Sequence, residues 1–128
     1  MRLALDTDPR IHLVRRYGDG ELLIGTQRIN RPCVVGPERL LLDWPVSSFA
    51  QLSEGLPAAA EGIESLLTFG AKIVLIGAGD VQPFPSPALR AAFRSRAIAL
   101  ECMNLGAACR TYNILANEQR SVAAALFP

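Results

Sequence analysis

The sequence contains one lysine and one histidine, and both scarcities limit the chemistry open to the chain. Lys72 is the only lysine among 13 basic residues. A structural zinc site takes four ligands from histidine and cysteine at characteristic spacings, and this sequence has a single histidine and none of those spacings. A nucleophilic cysteine needs a basic partner, usually histidine, but no pattern brings His12 to a cysteine. The sequence therefore predicts no metal, no cofactor and no complete catalytic set, so an enzymatic role is disfavoured.

The chain also lacks a charge imbalance, paired cysteines and a long apolar run. Thirteen basic and twelve acidic residues nearly cancel, which gives no reason to expect a nucleic-acid partner. No apolar run is long enough to cross a bilayer. The three cysteines, Cys33, Cys102 and Cys109, cannot all pair with one another, and none of them forms a CxxC motif. The opening residues resemble no secretory or mitochondrial signal. We expect a protein of the reducing cytoplasm that does not insert into membranes.

The composition is typical of a globular chain, and we expect one domain over residues 1–128. After a lead-in over residues 1–10, the segments 11–17 and 21–25 flank Gly18-Asp19-Gly20, a strong hairpin signal. Alternation would place Ile11, Leu13, Arg15 and Tyr17 on one side of the first strand. Further strands are predicted over 28–35 and 39–44. Pro32 places the first of these at an edge or a bulge, which leaves a homodimer open.

From Ser47 onward the pattern alternates helix and strand, as in a three-layer α/β fold. Helices are predicted as one turn around Phe49 and Leu52, over 58–69 with Pro57 at its first position, from Pro87 onward, and over 105–117. Ser86 and Asn104 are predicted caps. The helix after Pro87 would bury Leu89, Ala92, Phe93 and Ala97. Strands are predicted over 98–103 and 121–127.

The apolar run Ile73–Ile76 predicts a central strand buried on both faces. Gly77-Ala78-Gly79-Asp80 follows at its carboxyl end, where open α/β sheets usually bind ligands. A dinucleotide fingerprint is incomplete, because Gln82 stands where a third glycine is required and a proline-rich loop replaces the helix start. No Gly-Lys-Ser/Thr follows, so a P-loop is excluded. Asp80 either caps the turn through its side chain or lines a pocket.

The predicted helix over 105–117 carries the remaining polar candidates. Cys109 lies near its start, where the helix dipole lowers a thiol pKa, although a buried structural cysteine is the commoner case. Helical spacing points Tyr112 into the core and Asn113 outward. Thr111 and Asn113 need a reason to stand inside a helix. They either form a polar brace to the glycine turn or contact a ligand there.

The chain has one basic concentration, formed by Arg90, Arg94 and Arg96. Arginine is favoured at protein interfaces and for anion contacts. No interleaved aromatic residues provide a platform for stacking bases. This helix side is either a solvated surface or a face that binds a protein partner.

Three segments resemble a known family: IGAGD at 76–80, ALECMNLGAACRTYNIL at 99–115 and EQRSVAAALFP at 118–128. They are similar to the small α/β proteins that include the mitochondrial respiratory complex I assembly factor and an adipogenesis-associated relative, alongside bacterial members. The resemblance implies a three-layer α/β fold with a mixed central β-sheet flanked by helices and an N-terminal β-hairpin region. It also implies a binding or assembly role for some members.

Two functional hypotheses follow. The first is a non-enzymatic binding or assembly module that presents Arg90 and Arg94 to a protein partner. The alternative is a small-molecule binding protein or an enzyme, with a cleft for an anion or a nucleotide at the end of the central strand and Cys109 or Asp80 as the reactive group. The candidate cleft residues are Gly77, Gly79, Asp80, Cys109, Thr111, Tyr112, Asn113 and Arg120.

Overall fold

A computed structural model describes residues 10–55 and 59–128 of the chain. Its strands are β1 Val14–Gly18, β2 Glu21–Ile24, β3 Gln27–Ile29, β4 Cys33–Val35, β5 Leu40–Leu41, β6 Ile73–Ala78, β7 Ala99–Met103 and β8 Val122–Phe127. Its helices are α1 Phe49–Glu54, α2 Ala60–Leu67, α3 Pro87–Arg94 and α4 Leu105–Asn117. Most of the predicted lead-in, together with Pro57 and Ala58 of the predicted second helix, lies outside the described residues.

The central sheet has five strands in the order β5-β4-β8-β6-β7. β6 runs parallel to both β7 and β8, whereas β4 runs antiparallel to β8 and β5. This confirms the predicted mixed sheet. The middle position belongs to β8, however, and not to β6, which the sequence favoured. Both strands are nearly all buried, so a local apolar pattern cannot tell which of them lies in the middle.

Two hydrophobic cores cover the two faces of this sheet and give three layers. The first core packs α1, α2 and α3 against one face, and includes Ala123 and Ala125 of β8. The second packs α4 and the separate sheet β1-β2-β3 against the other face, and includes Val122, Ala124 and Leu126. Because successive side chains of a strand point to opposite faces, β8 contributes to both cores. The predicted layers and the N-terminal hairpin region are confirmed.

The hairpin forms as predicted, but its first strand does not alternate regularly. The turn places Asp19 and Gly20 at φ 54° and 76°, the left-handed region that the turn sequence favours. The β1–β2 register shifts between Val14 and Arg16. This bulge leaves Arg15 exposed while Leu13 and Val14 are both buried. The predicted common face of Ile11, Leu13, Arg15 and Tyr17 is therefore wrong.

The predicted strand over 28–35 divides into two strands that join different sheets. β3 ends at Ile29, and β4 begins at Cys33, directly after Pro32. Proline has no backbone N–H for a ladder, so the chain changes sheets there. The predicted strand over 39–44 shortens to β5, which has only two residues.

The predicted helix caps are confirmed. Ser86 Oγ accepts a hydrogen bond from Leu89 N at 3.1 Å, and Asn104 Oδ1 accepts one from Ala107 N at 2.8 Å. These caps fix where α3 and α4 begin. The apolar face predicted for α3 is corrected at one position. Ala97 lies beyond the last residue of the helix, with φ 56° and an exposed side chain.

Candidate functional site

The glycine turn after β6 is tightly packed on one side and open on the other. A Cβ on Gly77 would overlap the Cβ of Ala108 in α4 and lie 3.2 Å from Leu126 Cδ2. Glycine at this position therefore allows α4 to approach β6 closely. Gly79 has φ 69°, and its carbonyl accepts a hydrogen bond from Leu105 N at 3.0 Å. Gly79 and Asp80 are exposed.

Asn113 faces the core, which contradicts the predicted outward orientation. It is fully buried, at 0% exposure. Its Nδ2 donates to the carbonyl of Val14 at 2.8 Å, and its Oδ1 accepts from the backbone N–H of Val14 at 2.9 Å. The β-bulge of β1 lies beside this pair. The polar groups of Asn113 are therefore bound to the hairpin, and neither the glycine turn nor a ligand beside it holds them.

Tyr112 and Cys109 are also enclosed between α4 and the hairpin. Tyr112 is buried as predicted, and its hydroxyl donates to the carbonyl of His12 at 2.7 Å. Burial raises the pKa of the Cys109 thiol to about 12, and the neighbouring Cys33 also raises it. Thiol nucleophiles react as thiolates. Cys109 therefore stays protonated near neutral pH, and the structural alternative fits its surroundings.

The candidate cleft residues do not meet at one place. Thr111 is half-buried on α4. Arg120 precedes β8, which is parallel to β6, so it lies at the amino ends of these strands. The glycine turn lies at their carboxyl ends, about 20 Å away for a six-residue strand. A ligand contact for these residues stays a prediction, and the structure gives Arg120 a different set of neighbours from the glycine turn.

Arg120 lines a cleft of about 680 Å³ with Arg10, Arg39 and Phe69. Sequence reasoning missed Arg10 and Arg39 as members of a common site. Both belong to the β-rich first third, and no local pattern joins them to a residue near the end of the chain. The Gly36-Pro37 turn was the available signal, since it positions Arg39 at a loop.

The basic side of α3 is exposed, as both alternatives for the arginines require. Arg90 and Arg94 are four residues apart, so they share a helix face, and both are exposed. Within the described ranges neither forms an ion pair, whereas Arg96 pairs with Glu64 at 3.5 Å. A partner contact through Arg90 and Arg94 stays a prediction.

Two large apolar side chains beside α3 were missed as candidates. Val81 and Phe84 are 80% and 74% exposed. Their loop is held at both ends, because Gln82 Nε2 donates to the carbonyl of Cys102 at 3.3 Å and Ser86 N donates to Ser53 Oγ at 3.0 Å. The signal was present in the sequence VQPFPSP, where prolines exclude a helix that could bury a valine and a phenylalanine.

The described part of the chain has neither a cluster of metal-binding side chains nor a helix that could span a membrane. It contains no group of three or more histidine, cysteine, aspartate or glutamate residues able to hold a metal ion. None of its helices is long and apolar enough to span a membrane. Cys33, Cys102 and Cys109 are all buried and form no disulfide. The cytoplasmic location and the homodimer stay predictions.

Comparison with known proteins extends over nearly the whole chain. The model of a family described as "Protein of unknown function (DUF498/DUF598)" matches residues 14–127. A curated relative from Xenopus tropicalis, named NADH dehydrogenase [ubiquinone] 1 alpha subcomplex assembly factor 3, is 28% identical over 120 residues. The match covers 90% of this chain and 60% of that protein. The chain thus spans about three fifths of the relative's length.

Solved structures share the fold. The XCC1710 protein of Xanthomonas campestris is 32% identical with a TM-score of 0.78, over 95% of this chain and 89% of that one. A Bordetella pertussis protein described as a Mth938-like domain is 27% identical with a TM-score of 0.75, over 100% of this chain and 92% of that one. These similarities confirm the α/β fold and the resemblance on which the sequence interpretation relied.

Proposed function

We propose, on the premise that the chain belongs to the DUF498/DUF598 family, that it is an assembly-type module that binds a protein partner. The relative named as an assembly factor supports a role of this class. The surface that we assign to the partner consists of Val81, Phe84, Arg90 and Arg94, and is called the loop–α3 face.

The observation that carries this proposal is the exposure of Val81 and Phe84 in an anchored loop. Large apolar side chains that remain in water forgo the free energy of burial, about 1.5–3 kcal/mol for a side chain of this size. Contiguous apolar surface with a polar rim is typical of interaction sites. In this proposal Phe84 and Val81 supply the apolar part of the loop–α3 face, and Arg90 and Arg94, on the helix that follows the loop, supply its charged part.

The anchoring of the loop lowers the entropic cost of binding. The hydrogen bonds of Gln82 and Ser86 fix its ends, and Pro83 and Pro85 each restrict φ to near −65°. A segment ordered before binding loses less conformational freedom when the partner arrives. The partner surface that fits offers an apolar pocket for Phe84 with acidic residues facing Arg90 and Arg94.

Affinity capture with matched variants tests the proposal. The tagged chain is used to retrieve partners from a lysate, and each retained protein is purified and titrated against the wild type and the variants. We expect Phe84→Ser to weaken binding by roughly thirtyfold, as expected for a residue worth about 2 kcal/mol at an interface. Charge reversal by Arg90→Glu with Arg94→Glu should also weaken binding, and the loss of affinity should be larger at low salt than at high salt.

Two control variants separate the loop–α3 face from general surface effects. Ile114→Ser removes another exposed apolar side chain, 55% exposed on α4, and Arg28→Glu reverses an exposed arginine in β3. Both should leave the affinity unchanged. The proposal fails if every purified partner binds Phe84→Ser and the double arginine variant as tightly as it binds the wild type.

A further inference from the structure

An open cleft lies at the amino ends of β6 and β8, whereas Val81 and Phe84 follow the carboxyl end of β6. Ala71, two residues before β6, and Ser121, directly before β8, line the cleft. Its volume of about 680 Å³ falls within the range of about 300–1,000 Å³ that is usual for small-molecule sites. The cleft therefore has room for a small organic ligand.

Arg39 is held in a fixed position at this cleft. Its Nη1 donates to the carbonyl of Phe69 at 2.9 Å, and its guanidinium carbon lies 4.3 Å from the centre of the Phe69 ring. Gly36 makes room for the same ring, because a Cβ there would lie 2.6 Å from Phe69 Cε2. One bond to a carbonyl leaves four of the five guanidinium N–H donors. Arg39 thus presents a preorganised donor group, because its contacts with the Phe69 carbonyl and ring already fix its position.

Arg120 lines the same cleft and stands two residues before β8. Its backbone N–H donates to the carbonyl of Leu115 at 2.9 Å. The preceding residue, Gln119, has φ 61°, a conformation that is uncommon outside glycine and asparagine. This turn after α4 sets where the Arg120 side chain begins. Among the described residues the exposed guanidinium has no ion-pair partner.

The charge and the apolar surface of the cleft favour an anion with an apolar body. Three arginines line it, Arg10 being the third, against one glutamate, Glu38. The half-buried Ile11 supplies apolar surface in the same cleft, and Phe69, which is 8% exposed, adds a little more. Planar guanidinium forks match carboxylate and phosphate groups with paired hydrogen bonds.

We infer that this cleft binds a small organic anion, with its carboxylate or phosphate group at Arg39 and Arg120 and its apolar part against Ile11 and Phe69. The site differs from the one that the sequence suggested, since it lies at the amino ends of the strands and not at the glycine turn. It is also independent of protein binding at the loop–α3 face.

Titration followed by amide NMR tests the inference on the free protein. The probes are phenylacetate, phenyl phosphate and neutral 2-phenylethanol, which share an aromatic body and differ in the head group. We expect at least one anion to shift the amide signals of Gly70, Gln119 and Ser121 in a saturable manner at millimolar concentration. The neutral alcohol should bind at least about tenfold more weakly than the anion, and added salt should lower the affinity for the anion.

Three variants decide which residues hold the anion. Arg120→Gln and Arg39→Gln should each weaken binding of the preferred anion by about tenfold or more. Arg28→Gln, in β3 and away from the cleft, should not change it. Phe84→Ser should also leave it unchanged, which separates this site from the loop–α3 face.

Several results would overturn the inference. One is the absence of saturable shifts with either anion, and another is equal binding of the neutral alcohol. A third result would show that Arg120 only stabilises the fold. Both α2 and α4 end at this cleft, and a cation stabilises the carboxyl end of a helix. If Arg120→Gln lowers the unfolding free energy but leaves anion binding intact, the arginine is structural and the inference is wrong.

Discussion

The side-chain amide of Asn113 pairs with both backbone polar groups of Val14, at 2.9 Å and 2.8 Å. The pair resembles one rung of a β-ladder in which a helix side chain replaces the partner strand. It lies beside the bulge of β1, where the register shift between Val14 and Arg16 interrupts the regular ladder. Asn113 thereby fixes the hairpin sheet to α4, which itself packs against the central sheet through apolar side chains.

Asn113→Ala should lower the free energy of unfolding by about 2–6 kcal/mol, because two buried backbone groups lose their partners at about 1–3 kcal/mol each. Urea denaturation measures the change. Asn117→Ala provides the control, since Asn117 is exposed at the end of the same helix. A loss below about 1 kcal/mol would mean that the bulge finds other partners for these groups.

Gly77→Ala should destabilise the protein by about 1–3 kcal/mol, because the new methyl group overlaps Ala108 in a packed core. The double variant with Ala108→Gly should recover part of this loss, after allowance for about 1 kcal/mol of lower helix propensity in α4. Thermal and urea unfolding of the four proteins completes the mutant cycle. If the losses of unfolding free energy in the two single variants add up in the double variant, the side chains at the two positions do not interact.

Cys33 and Cys109 should react with an aromatic disulfide reagent only after unfolding. Both are fully buried, and burial raises the pKa of each thiol to about 12. Cys102 is 8% exposed on the edge strand β7, so it should be the first native thiol to react. An added surface thiol, Thr26→Cys, supplies the reference rate. Labelling of Cys109 at that rate in native buffer would contradict the enclosed site.

Stability should fall as the pH rises above 9. The pKa values of Cys33 and Cys109 rise from 9.0 to about 12 on folding, chiefly by burial. The stabilisation from these protonated thiols is fully present below pH 9 and is lost as the pH rises from 9 toward 12. Near pH 10 the loss should be on the order of 1 kcal/mol per thiol. Burial also raises the pKa of Tyr112, which adds to the loss at higher pH.

Urea midpoints near pH 8 and pH 10 test this dependence. Cys109→Ala removes one titrating group, so its stability should depend less steeply on pH although its absolute stability is lower. An equal slope in the variant and the wild type would assign the alkaline loss to other groups.

The parts of the fold that follow from local physics were accessible from the sequence. The glycines around Asp19 permit left-handed turn angles, and the side chains of Ser86 and Asn104 satisfy the first amides of α3 and α4. The apolar run Ile73–Ile76 predicts a buried strand. Each of these signals depends on residues within a few positions of one another, so no distant contact was needed to predict it.

The candidate site depended on contacts that local patterns do not contain. Helical spacing turned Asn113 outward because it ignores Val14, which offers two unpaired backbone groups inside the core. The exposure of Phe84 follows from the anchoring of its loop to β7 and α1. Likewise, Arg39 and Arg120 line one cleft only because the antiparallel pairing of β4 with β8 brings their turns together.

The sequence by itself determined the elements, their caps and the alternation that makes an α/β protein, because backbone geometry and hydrophobic periodicity act over short distances. Tertiary structure decided which strand lies in the middle, which polar side chains are enclosed and which arginines share a surface. Those outcomes depend on pairing between residues far apart in the chain, where burial and hydrogen bonding are settled only when the layers pack.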